Sequence, residues 1–164
     1  MRKLLIAGLL SVELFALSPK QISTLNWVYN KAKPYNLQNT MSAIAYVESS
    51  LGKYKINLQD GKYGSFGIFH NLLESVCDRH NCYTYWDKSR LAERLVEDKD
   101  FSFSEAMAEF QYWYNYWLSK GYSKIVAWKR AICSYNAGHN WKQGIKYYKK
   151  IIKAIKFLKK YVKE

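Results

Sequence analysis

At 164 residues the chain is long enough for one domain with a substantial core. Apolar residues make up 49% of it and aromatics 17%, which excludes a disordered or low-complexity chain. The net charge of +13 favours polyanionic partners: nucleic acid, anionic lipid or the bacterial envelope. Two prolines and eight glycines leave few helix breaks, so a mainly helical fold is expected.

The N-terminus opens with Arg2 and Lys3 ahead of the apolar stretch Leu4 to Leu17. A basic start followed by an apolar run is the signal-peptide pattern, and Ala16 and Ser18 supply small residues for a cleavage site. Glu13 inside the run and Pro19 just after it count against that pattern. A releasable membrane anchor and an ordinary first helix are the other two readings of residues 1–18. Residues 19–164 then form one domain.

Ile22, Leu25, Trp27, Val28 and Ala32 recur at helical spacing, which predicts a helix over Gln21 to Lys33, stopped by Pro34. Asn39 or Thr40 is placed to cap a second helix running to Ser50 and ending at Gly52. Tyr54, Ile56 and Leu58 then alternate with polar residues before Asp60-Gly61, a hairpin signal. Asn71 to Val76 reads as helix, Cys77 to Tyr85 as loop and Ser89 to Glu97 as a short helix. Ser104 opens a long helix to Lys120, ended by Gly121. It carries Phe110, Tyr112, Trp113, Tyr114, Tyr116 and Trp117. Core packing is the first reading of that aromatic stripe, and stacking on sugar rings the second. Ser123 to Ser134 is a further helix, interrupted over Ser134 to Asn140. The last helix, Trp141 to Val162, places Ile145, Tyr148, Ile152, Ile155 and Val162 on one side. Nine lysines fall between Lys142 and Lys163.

Three cysteines, Cys77, Cys82 and Cys133, argue against a disulfide framework, although Cys77 and Cys82 flank a short loop and are able to pair. With His80 they make an incomplete zinc set, so no metal and no cofactor is expected.

Glu48 closes the apolar run Met41 to Val47. The negative end of a helix and apolar neighbours such as Ile44 and Val47 both favour a protonated acid there. A proton donor of that kind is what glycosidic-bond cleavage needs. Taken alone, Glu48 reads equally as a solvated carboxylate at a helix end.

Three segments in order change that balance. Glu48-Ser49-Ser50-Leu51-Gly52 is followed by Gly64-Ser65-Phe66-Gly67-Ile68-Phe69-His70, then by Ser134-Tyr135-Asn136-Ala137-Gly138. This ordered set, spread over most of the chain, resembles the soluble lytic transglycosylase family, related in fold to goose-type lysozyme. The resemblance implies a mainly α, lysozyme-like α+β domain with a small hairpin beside the Glu48 helix. It implies that Glu48 acts as general acid and then general base, with the Tyr135 hydroxyl beside it. It assigns Ser49, Gly64, Ser65, Phe66, Gly67, Ile68, Phe69 and Asn136 to substrate binding or to the walls around the scissile sugar. His70 stands where the family usually has glutamine, and it reads either as a groove residue or as a structural one.

The implied substrate is the peptidoglycan glycan strand, cut between N-acetylmuramic acid and N-acetylglucosamine to leave a 1,6-anhydro sugar. Hydrolases generally use two carboxylates. Asp60 is the nearest candidate for a second, although Asp60-Gly61 is more simply a turn, and Glu74 has no motif behind it. A hydrolytic, goose-type-like muramidase is therefore the rival within the enzyme reading. Small size and basicity resemble a phage endolysin, acting as a monomer in the periplasm or cell wall. The lysine-rich helix fits anionic wall polymer or lipid as well as it fits a solvated face. No nucleic-acid motif is present, so nucleic acid is not an expected partner. A non-catalytic cationic protein that binds wall or membrane is the alternative from a different class.

Overall fold

The structure, a computed structural model, describes residues 16–162. The signal-peptide and anchor readings fall largely on residues 1–15, outside the described residues. Seven α-helices are described: α1 Pro19–Ala32, α2 Gln38–Ser49, α3 Leu73–His80, α4 Tyr85–Glu97, α5 Lys99–Ser119, α6 Lys124–Ala137 and α7 Ile145–Leu158. A 3-10 turn over Lys33–Tyr35 joins α1 to α2. Three short strands, β1 Ile56–Asn57, β2 Ser65–Phe66 and β3 Asn71–Leu72, form an antiparallel sheet in the order β1-β2-β3. The fold is thus mainly α with a small sheet between α2 and α3, as composition and the Asp60-Gly61 signal led us to expect.

The helix starts differ from expectation, for reasons visible in the caps. Ser18 caps α1 through a reciprocal pair with Gln21, and Pro19 occupies the first turn, where its missing N–H costs nothing. Leu17 is buried in the core. A boundary drawn after Ser18 therefore cuts through the cap of the first helix. Neither Asn39 nor Thr40 caps α2; both lie inside it, and the buried Thr40 hydroxyl instead accepts from Trp128 Nε1 at 3.1 Å. Asp98, not Ser104, caps α5 by accepting from the amides of Asp100 and Phe101. Ser104 sits one turn into the helix and returns its hydroxyl to the Asp100 carbonyl. The stretch read as pure helix from Asn71 first donates two residues to β3. The loop expected from Cys77 is still helix as far as His80. Cys77 and Cys82 form a disulfide across the end of α3, and Cys133 is free and buried. That pairing removes both thiolates from any metal set, and His80 Nε2 is spent on Glu105 at 2.7 Å.

The main core gathers Leu25 and Val28 of α1, Met41 and Ile44 of α2, Phe110 of α5, Ile132 of α6 and Ile151 of α7. Helix α2 runs between α1 and α7, and α5 lies along α6. A second cluster, including Phe66, Leu73, Val76, Leu95 and Phe101, packs the sheet onto α3 and α4. The buried side of α7 is Tyr147, Ile151, Ala154 and Leu158. Periodicity had favoured a stripe one position over, but Ile145 is exposed and Tyr148, Ile152 and Ile155 form only the shoulders. Small residues explain the difference. Ala154 lets α7 approach closely, and Gly144 lies so tightly on the Cys133 backbone that any Cβ there would collide with it.

Gly67 is the tightest point of the sheet. Its φ of +84° lies in the left-handed region, and an added Cβ would strike the Leu95 carbonyl and the Ser102 hydroxyl. Gly67→Ala should therefore lower unfolding stability by about 2 kcal/mol or more in urea titration. A change under about 0.5 kcal/mol would show that the sheet is not seated on α4 and α5 in this way.

Candidate active site

Glu48 lies in the last turn of α2. The helix stops because Ser50 and Leu51 both turn left-handed, with φ of 53° and 59°. The Leu51 amide reaches back to the Ala45 carbonyl and the Ser50 amide to Tyr46, each at 3.0 Å, which satisfies the last carbonyls. Gly52, expected as the left-handed end, comes two residues after the first such residue.

Ser49 is fully buried. Its hydroxyl donates to the Ile68 carbonyl at 2.5 Å and accepts from the Gly52 amide at 2.8 Å. It joins the end of α2 to the glycine-rich turn and does not reach the cleft, contrary to the substrate-binding role that the resemblance implied. Gln21 adds a second tie, its side-chain amide donating to the Ser50 carbonyl and hydroxyl at 3.1 and 3.0 Å. Glu48 is left on the open side, its side chain 17% exposed.

The cleft holds about 190 Å³. Glu48, Asp60, His70, Arg79, Glu109, Trp113, Tyr135 and Asn136 are among the residues that line it. Six elements or loops contribute, so the cleft exists only in the folded chain. Of the glycine-rich segment, only His70 lines it. Gly64, Ser65, Phe66, Gly67, Ile68 and Phe69 are buried behind it. Ile68 and Phe69 fill the main core, Phe66 the second cluster, and Ser65 pairs in β2 between Gly64 and Gly67.

His70 follows this segment with φ of 46°, a left-handed residue. Its Nε2 donates to the Tyr54 carbonyl at 2.7 Å, and its Nδ1 faces Glu48 Oε2 at 3.5 Å. Burial works to lower the imidazole pKa, but the Glu48 carboxyl and the Tyr54 carbonyl outweigh it, and the net direction is upward.

Tyr135, in the last turn of α6, donates its hydroxyl to the Phe69 carbonyl at 3.2 Å. Burial, with Glu48 and Glu109 nearby, pushes this phenol well above its usual range, so it remains a proton-bearing donor. Asn136 is exposed at the rim. The motif Ser134 to Ala137, expected to interrupt α6, is instead its final turn, and Gly138 ends the helix.

Sequence reasoning missed three residues at or beside the cleft. Tyr147 of α7 is buried below Glu48 and has a hydroxyl without a hydrogen-bond partner among the described residues. Burial and the adjacent Glu48 carboxyl push its phenol well upward too. The hydroxyl stands close to the Glu48 carboxyl. At the opposite end, Glu109 Oε1 accepts from Trp113 Nε1 at 2.7 Å and Oε2 from Arg79 Nη1 at 2.8 Å. Arg79 Nε also donates to the buried Glu105 at 2.9 Å. A heptad-like check of α5 would have paired Glu105, Glu109 and Trp113 on one face. Nothing in sequence would have brought Arg79 to them.

The aromatic stripe of α5 divides as its burial dictates. Phe110, Trp113 and Trp117 are core, Tyr112 is exposed, and Trp113 alone of them presents an edge to the cleft. His139 packs edge-on against Trp113 and Tyr116, with centroids 4.9 and 5.2 Å apart.

Arranged this way, the cleft offers one carboxyl backed by an imidazole and two phenols, a second, Glu109, with each oxygen already bonded, and a third, Asp60, exposed on the β1–β2 loop. That is the equipment for proton transfer to a ligand lying between the sheet and α6. No helix among the described residues is long and apolar enough to cross a membrane. No family model matches the chain, and no solved structure matches it with significance. The chain is similar to an uncharacterized 20.7 kDa protein of the vs-regB intergenic region of Enterobacteria phage T4. The two are 29% identical over 181 aligned positions, covering 97% of this chain and 94% of the phage protein.

Proposed function

We propose that this protein is a peptidoglycan-cleaving enzyme of the lytic transglycosylase type, with Glu48 as its acid and base. The observation that carries the reading is the isolation of Glu48. It is the cleft carboxyl surrounded by proton-bearing groups, while Glu109 has both oxygens occupied by Arg79 and Trp113. Glu109 is therefore poorly suited to activate a water, which leaves Asp60, exposed on a loop, as the remaining cleft carboxyl for that task and favours an intramolecular nucleophile.

Glu48 donates its proton to the oxygen between N-acetylmuramic acid and N-acetylglucosamine, and the bond from the muramic C1 to that oxygen breaks. The resulting carboxylate faces the positively charged sugar. It then takes the proton from the carbon-6 hydroxyl of the muramic residue as that oxygen bonds to C1. The proton returns to Glu48, and no water is consumed. Tyr135 holds the roof of the site through Phe69, and Trp113 offers an edge for a sugar ring.

Three further observations support action on the envelope during phage growth. The full-length similarity is to a phage protein. A disulfide such as Cys77–Cys82 persists in an oxidising compartment rather than in cytosol. Lys146, Lys149, Lys150, Lys153 and Lys156 are all exposed along α7, a charge face suited to anionic wall polymer or lipid. A hydrolytic reading keeps one specific support, the exposed Asp60 at the same cleft.

Purified sacculi decide between these. Glu48→Gln should lower release of soluble muropeptides by about 10²–10⁴-fold with folding intact, the usual scale of general acid catalysis. Mass spectrometry of the wild-type products should find muropeptides one water lighter than their hydrolysed counterparts. Reducing-end muramic acid alone would assign hydrolysis, and turnover unchanged by Glu48→Gln would remove the enzyme reading.

Tyr147→Phe separates packing from chemistry beside Glu48. Its hydroxyl makes no bond in the resting fold, so urea stability should change by less than about 0.5 kcal/mol. Muropeptide release should fall by about tenfold, the scale of one hydrogen bond to a charged group. Full activity would limit Tyr147 to core packing.

A further inference from the structure

His70 is held so that only one of its nitrogens is free to titrate. The Tyr54 carbonyl can accept but never donate, so Nε2, 2.7 Å away, keeps its hydrogen in both charge states. Nδ1 is then the atom that gains and loses a proton, and it points at Glu48 Oε2 across 3.5 Å. The side chain of His70 is only 8% exposed, so water does not readily substitute for that partner. The left-handed backbone at His70, φ 46°, turns the ring into this position, and the His70 amide closes the turn on the Gly67 carbonyl at 3.3 Å.

Two arrangements fit this geometry. Either the Glu48 carboxyl donates to a neutral Nδ1, or an imidazolium Nδ1–H donates to the carboxylate. Both contain one proton. We infer that His70 and Glu48 form a dyad that stores a single proton between Oε2 and Nδ1, with His70 as the positioning residue that keeps this proton at Glu48. The inference rests on the function proposed above, because it names where the acid's proton is kept. On substrate binding the proton passes from Nδ1 to Oε2 and on to the glycosidic oxygen. The proton taken from the carbon-6 hydroxyl refills the dyad.

The surroundings are consistent with one stored proton. From the β1–β2 loop Asp60 adds negative charge and favours its retention. From α6 and α7 the phenols of Tyr135 and Tyr147 stay protonated and add no charge. From α5 and α3, Glu109 is paired with Arg79 at 2.8 Å, and the same guanidinium also holds Glu105 at 2.9 Å. A carboxylic acid in water releases its proton near about 4.3, well below the pH of a living envelope. Sharing it with an imidazole carries a usable proton toward neutrality.

The sign for stability follows from the upward shift of His70. Its contribution is fully present below the imidazole's ordinary value of 6.5 and is lost as pH rises through the higher folded value. Catalysis should show its alkaline limit in the same window.

Nitrogen-15 NMR of the histidine rings in the intact protein tests this without reference to activity. In the wild type, His70 should titrate above 6.5 at Nδ1, with Nε2 protonated throughout. In Glu48→Gln the midpoint should fall by about one pH unit or more, the effect of losing an adjacent opposite charge. Glu48→Asp retains the charge one methylene farther away and should fall between the two, which guards against a folding defect in the first variant. An unchanged midpoint in both variants, or a neutral ring protonated on Nδ1, overturns the dyad even if Glu48→Gln abolishes wall cleavage. A shifted midpoint in a protein that cleaves no peptidoglycan upholds the dyad and removes the enzyme reading. On active protein, His70→Gln should move the alkaline limit of kcat to lower pH. A limit that does not move overturns the role in proton storage.

Discussion

One buried hydroxyl holds together the two segments that must meet for Glu48 to have a partner. Ser49 donates to the Ile68 carbonyl and accepts from the Gly52 amide, in a place with no access to water. Without it the Ile68 carbonyl would be orphaned in the core, a cost of about 1–3 kcal/mol. The bond fixes the end of α2 against the glycine-rich turn, so the residue before Ser49 faces outward and the residue two after Ile68 faces it. Glu48 and His70 are thus opposed because of a side chain that touches neither the cleft nor any ligand in it.

Charge in the cleft is sorted by the same kind of local economy. The body of the protein carries a surplus of thirteen positive charges, yet Glu48, Asp60 and Glu109 all line one depression. Arg79 settles the far end by bonding Glu109 and the buried Glu105 together. A buried carboxylate such as Glu105 persists only because Arg79 and His80 are both within 2.9 Å of it. What is left near Glu48 is an imidazole, two phenols that hold their protons, and the exposed Asp60 on the β1–β2 loop. The near and far ends of the cleft therefore have different chemistry although each is built around a glutamate.

The helical class, the small sheet and the order of the three motifs were legible because each depends on residues close in sequence. Ser-Tyr-Asn-Ala-Gly and Glu-Ser-Ser-Leu-Gly are turns of helix and their ends, and their side chains point where a helix must point them. The roles inside the motifs were less legible. Ser49 and Gly64 to Phe69 carry the resemblance most visibly, and the structure uses them behind the site, as ties and packing. A motif records what the backbone needs as much as what a ligand touches. Arg79, Glu109 and Tyr147 escaped notice for a different reason. They arrive from α3, α5 and α7, and their convergence depends on how those helices cross. Tyr147 in addition lies on a stripe that periodicity placed one residue over, because Gly144 and Ala154, not the larger apolar residues, set where α7 seats.

The seating of α7 links two properties that sequence inspection treats as separate. Its outer side carries the exposed lysines, while its inner side places Tyr147 under Glu48 and Ile151 in the main core. The basic helix therefore backs Glu48 from the core side as well as presenting a cationic surface. Removing it to lower the positive charge would also take away Tyr147, which packs by Glu48, and Ile151 from the core. The exposed lysines and the residue packed by Glu48 share one element, so each has to be altered by substitution, not by trimming.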